Sequence, residues 1–167
     1  SSYSEPSPHQ NTKQYLTLTN KHDIIKSRIN NYKTTAKHPT QLKIKSNERE
    51  FISTFNTKLT KEFQSAQTLI LEKSVMEFSK SNLKFFSNMK NLTQLKRLKV
   101  IYKDFPKRDF KKFCKNLRSL KNLTHLELDL DIFGMSEPFF KDLALGVTSL
   151  KNLAQISFNI PWLRPTE

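Results

Sequence analysis

The chain has 167 residues, 36% hydrophobic and 26% charged, the composition of one soluble globular domain with room for a small core. Twenty-nine Lys and Arg against fifteen Asp and Glu leave a net charge of +14, so the expected partner is anionic or an assembly with an anionic surface. A single cysteine, Cys114, excludes an internal disulfide and a cysteine metal cluster; four histidines without ligand spacing (His9, His22, His38, His125) and two isolated glycines (Gly134, Gly146) lead us to expect neither metal nor nucleotide cofactor.

Residues 1–45 are rich in Ser, Thr, Asn, Gln, Lys and Pro, with apolar residues gathered at Tyr15 to Leu18, at Ile24 and Ile25, and at Leu42 to Ile44. This composition predicts a polar, basic, extended arm without a core of its own, which orders on a partner. Ile25 and Ile29 share a face in a short helix expected around Lys21 to Tyr32. The pattern changes at residue 46. Asn47 with Glu50 reads as a capping box, and Phe51, Phe55, Leu59 and Phe63 line one helical face, so residues 46–64 are expected to form an N-terminal capping helix.

From residue 65 to 163 the chain repeats. Lys-Asn-Leu recurs at 90–92, 121–123 and 151–153, each time before alternating apolar residues. The clearest unit is Leu120, Leu123, Leu126, Leu128, Leu130. Its successor is Leu150, Leu153, Ile156, Phe158, Ile160, and its predecessor Leu92, Leu95, Leu98, Val100, Tyr102; a fainter unit holds Phe63, Ala66, Leu69 and Leu71. Alternation predicts about four strands. Between strands, Phe110, Phe113, Leu117, Leu120 correspond to Phe140, Leu143, Val147, Leu150, a spacing that makes a helix face; Phe85, Met89 and Leu92 keep part of it. Ser74 with Glu77, and Asp104 and Ser136 two residues ahead of Pro106 and Pro138, mark helix starts. Asn88, Asn116 and Gly146 occupy equivalent positions where helix stops are expected. Residues 164–167 are a tail.

Leu123-x-x-Leu126-x-Leu128, followed by Asp131 and Phe133, resembles the leucine-rich repeat. The 28–30-residue unit is similar to the longer, ribonuclease-inhibitor-like class of that family. The resemblance implies an α/β fold, a short solenoid with a parallel sheet on its concave side and helices on its convex side. Where the family carries an asparagine ladder this chain has Ser74, Lys103, Asp131 and Pro161, so that ladder is mostly lost.

Side chains between the buried strand positions are expected to point from the concave sheet: Ile70 and Glu72, Lys99 and Ile101, Glu127 and Asp129, Ser157 and Asn159. Lys99 and Glu127 are placed to pair, and with Asp129 and Asn159 they are the concave candidates for partner contact. His125 stands near Glu127 and Asp129, which is too little for a catalytic constellation, so no enzymatic activity is expected. Residues 84–121 carry thirteen Lys and Arg against Asp104 and Asp109. Within them Lys107, Arg108, Lys111, Lys112, Lys115 and Arg118 oppose Phe110, Phe113 and Leu117 across a helix, forming a cationic stripe suited to acidic protein, RNA phosphates or anionic lipid heads. Trp162, after the last strand, is expected to cover the C-terminal edge or dock on a neighbour.

Together these features lead us to expect a non-catalytic interaction subunit of a larger multiprotein complex, binding other subunits through its arm and repeat surfaces. No apolar run approaches the ~18 residues of a membrane-spanning helix. A homo-oligomer is not expected. The basic charge and a start at Ser1 favour a processed mitochondrial chain, such as an accessory subunit of the respiratory chain or ATP synthase, over a cytoplasmic or ciliary one. The alternative is an RNA-binding ribosome accessory protein using the basic 84–121 segment.

Overall fold

Period-two burial organises four of the strands, giving each of those a buried apolar face and a more exposed one. The computed structural model describes residues 16–18, 41–46, 63–73, 83–103, 105–131 and 137–160. Five strands of five or six residues, β2 (Gln41–Ser46), β3 (Thr68–Lys73), β4 (Arg97–Tyr102), β5 (His125–Leu130) and β6 (Gln155–Asn159), form a parallel sheet, and the three-residue β1 (Leu16–Leu18) extends it beside β2. Spatial order follows chain order throughout. Parallel neighbours need crossover connections. Helix α1 (Leu83–Asn88), continued by a 3-10 turn at Met89–Asn91, lies between β3 and β4; α2 (Lys107–Leu117) lies between β4 and β5, and α3 (Glu137–Thr148) between β5 and β6.

The expected repeat appears as straight rungs. Leu42, Leu69, Leu98, Leu126 and Ile156 are successive register partners, as are Ile44, Leu71, Val100, Leu128 and Phe158. Through β5 these side chains are buried, in one core with Phe85, Phe86, Met89, Phe110, Phe113 and Leu117 from the helices. The turns before the strands repeat as well: the Gln67 carbonyl accepts from the Lys96 and Arg97 N–H groups, that of Lys96 from Thr124 and His125, and that of Thr124 from Ala154 and Gln155.

The aromatic centre of the core lies where β4 meets α2. Phe105 stacks on Tyr102 with centroids 4.3 Å apart and on Phe86 at 5.2 Å, and meets Phe110 edge-on at 5.5 Å. Such pairs add about 0.5–1.5 kcal/mol each beyond area burial. The loop after β4 is tied down by the Phe105 N–H donating to the Asp131 carbonyl, and the Asp131 N–H to that of Tyr102.

Several expectations are corrected. Residues 41–45, assigned to the arm by composition, belong with Ser46 to a sheet strand, with Leu42 and Ile44 buried against Leu69 and Leu71. Residues 65–163 hold the four strands expected of them, β3 to β6, and β1 and β2 extend the sheet ahead of that range. Neither Asn116 nor Gly146 ends a helix. Asn116 lies inside α2, its Nδ2 donating to the Lys112 carbonyl at 2.8 Å, and Gly146 lies inside α3. Asn88 closes α1 in right-handed helical geometry, at φ −89°. Pro106 precedes α2 as its N-cap, while Pro138 is in the first turn of α3 as expected. Phe140 is 36% exposed, and the adjacent Phe139 packs on the core in its place. Of the capping helix proposed for residues 46–64, Ser46 ends strand β2, Phe63 and Gln64 lie in a turn, and the rest falls outside the described residues; so do the start signals at Ser74, Asp104 and Ser136, the helix around Lys21 to Tyr32, Trp162 and the tail.

Candidate interaction surfaces

The polar face of the sheet is built by the residues that alternate with the rungs. Lys43, Ile70, Lys99, Glu127 and Ser157 form one row, and Glu72, Ile101, Asp129 and Asn159 the next. The structure brings together the four predicted residues of this face. Lys99 Nζ lies 2.6 Å from Glu127 Oε1, the expected pair. Asp129 receives the Asn159 side-chain amide at 3.1 Å and faces Lys103 Nζ at 3.9 Å, while Lys43 meets Glu72 at 3.3 Å. Within and between the rows, these charges thus compensate one another.

His125 stands apart from the acids near it in sequence. Its Nδ1 lies 2.8 Å from Thr124 Oγ1, whereas Glu127 and Asp129 are engaged by Lys99, Lys103 and Asn159. Arg97, His125, Glu127, Gln155 and Ser157 line a shallow depression of about 180 Å³ on this face. Among the described residues no group of three His, Cys, Asp or Glu side chains is placed to hold a metal. Nor is any described helix long and apolar enough to cross a membrane.

The cationic stripe is a real surface of α2. Lys107, Arg108, Lys111, Lys115 and Arg118 are exposed and Lys112 is half-buried, while Phe110, Phe113 and Leu117 on the opposite side are buried. Asp109 is buried in the first turn of the helix, where its charge complements the helix dipole. The stripe adjoins α3: Lys107 Nζ lies 5.7 Å above the Phe139 ring, within cation–π reach. Lys107, Arg108 and Lys111 share a groove of about 410 Å³ with Pro138, Phe139 and Asp142.

Two further features escaped the sequence reading. The Asn of the repeated Lys-Asn-Leu has a role of its own: Asn122 Nδ2 donates to the Thr93 carbonyl and Asn152 Nδ2 to that of Lys121, each at 2.8 Å. Amides therefore link successive repeats ahead of the strands, although the positions after the strands lack asparagine. The tripeptide recurrence was the available signal. The second feature is β6, on which Ile156 and Phe158 occupy the rung positions yet are 40% and 43% exposed.

Comparison with family models finds no match, and neither does comparison with curated proteins or with solved structures.

Proposed function

We propose that the chain is a non-catalytic interaction subunit, a short leucine-rich-repeat solenoid held in a larger multiprotein complex. The observation that carries this reading is the exposed row Lys107, Lys111 and Lys115 on α2, which among the described residues meets no acidic partner in an ion pair of the kind that Lys43 and Lys99 make. A charge-compensated sheet face beside a concentrated cationic helix suits docking in one orientation, since like-charge contacts penalise the wrong ones. A mitochondrial assembly, such as a respiratory-chain or ATP synthase complex, is the setting the basic composition favours.

The same exposed stripe supports the rival reading, RNA backbone contact as a ribosome accessory protein. Affinity purification of the tagged full chain from its native cell, with half the sample treated with nuclease, separates them. A nuclease-resistant set of partner proteins is the expected result. Partners lost on nuclease treatment would transfer the assignment to RNA, and a chain recovered alone would overturn both. Imaging of the tagged chain against a mitochondrial marker checks the location.

A further inference from the structure

The groove between α2 and α3 has a chemistry more specific than a charged stripe. Its α2 wall presents Lys107, Arg108 and Lys111, all exposed; its α3 wall presents Pro138 and Phe139, with Asp142 as the single acid. Among these described lining residues, three cations against one anion leave an excess of two positive charges around an apolar floor. Phe139 is held rigidly, its ring 5.8 Å from that of Phe110 in the core, with Lys107 above it. Rigid aromatic floors make good anchors because no side-chain entropy is lost when they are covered.

We infer that this groove is a docking site for an acidic segment of a partner protein that also carries large apolar side chains, the apolar group resting on Pro138 and Phe139 and its carboxylates meeting Arg108 and Lys111. The inference rests on the protein-interaction reading above and names the partner's chemistry. Charge complementarity selects an acidic occupant, and the apolar floor selects against a purely charged one. Nucleic acid fits less well, because the described lining of the groove holds a single aromatic ring, whereas successive bases stack on several. A peptide also brings backbone N–H donors for Asp142 alongside carboxylates for the cations.

The test uses the full chain and three labelled probes read by fluorescence anisotropy: a peptide alternating Glu with Leu and Phe, a peptide of equal length and charge alternating Glu with Ser and Gly, and a single-stranded RNA of the same charge. The apolar acidic peptide is expected to bind about tenfold tighter than the polar one, the size of one well-buried anchor. Phe139→Ala is expected to remove that preference. Because Phe139 also packs on Phe110, the second variant, Arg108→Glu with Lys111→Glu, changes only exposed side chains; it is expected to abolish peptide binding with the far-ultraviolet dichroism and melting curve retained. Equal binding of the two peptides, no binding of either, or tighter RNA binding that Phe139→Ala leaves unchanged overturns the inference. A nuclease-resistant set of partners recovered alongside such a failure would leave the wider interaction reading standing without this groove.

Discussion

A Cβ atom added to Gly146 would lie 2.9 Å from the carbonyl oxygen of Cys114 and 3.5 Å from Leu117 Cδ1. Helix α3 therefore approaches α2 backbone to side-chain-free backbone, and the glycine is there for space.

Gly146→Ala tests this contact. Helix propensity alone favours alanine by about 1 kcal/mol, whereas overpacking against a backbone carbonyl that cannot rotate away costs about 1–3 kcal/mol. The expected outcome is a net loss of stability in urea titration, larger for Gly146→Val. A stabilised Gly146→Ala would show that the two helices separate freely.

Cys114, on the other side of that contact, has its thiol pushed up to about 12, chiefly by burial and secondarily by the Asp142 carboxylate, with Arg118 acting in the opposite sense. The folded chain then holds a proton that the unfolded chain releases at its ordinary value near 9. Between these values the unfolded state binds fewer protons, so stability falls as pH rises, by at most about 1.4 kcal/mol per pH unit from this group. Cys114→Ala should lose part of the slope of stability against pH above pH 9. The native thiol should also resist a thiol reagent at neutral pH until denaturant is added; rapid labelling of the folded chain would contradict its burial.

Leu128 and Phe158 are register partners on adjacent strands, one fully buried and the other 43% exposed. Truncation should separate them. Leu128→Ala is expected to cost about 2–5 kcal/mol as a core cavity, whereas Phe158→Ala should cost about 1 kcal/mol, nearer the centre of the distribution for point substitutions. Equal costs in denaturant titration would mean that Phe158 is covered in solution.

The Lys99–Glu127 pair is partly solvated, with side chains 37% and 48% exposed. A double-mutant cycle with Lys99→Ala and Glu127→Ala should return a coupling of about 0.2–1 kcal/mol that shrinks in high salt. A coupling well above that range would require the sheet face to be shielded from water.

Much of this architecture was legible because its signals are local and repeated. The apolar spacing of Leu98 and Val100, Leu126 and Leu128, and Ile156 and Phe158 anticipates the strand rungs residue for residue, and the stripe from Lys107 to Arg118 follows from helical geometry alone. Strand β2 was not legible as a strand, since Gln41–Ser46 offers only Leu42 and Ile44 and sits beside a polar segment. Its burial is supplied by Leu69 and Leu71 of the neighbouring strand. Phe105 holds the place after Lys103 that Phe133 holds after Asp131, so the repeat marks it only as apolar; its contacts with Tyr102, Phe86, Phe110 and Phe113 require the loop after β4 to fold inward.

What the sequence by itself determined is the periodicity: which residues alternate, which helix face is apolar, where positive charge concentrates, and that the units recur at a nearly constant spacing. The tertiary structure decided the rest. Choosing Phe139 over Phe140 for the core, fitting Gly146 against Cys114, forming a groove between the α2 cations and Phe139, and leaving Ile156 and Phe158 open all depend on how closely a neighbouring element approaches. Periodicity assigns a side chain to a face, but burial is set by the atoms standing opposite that face, and those come from elsewhere in the chain.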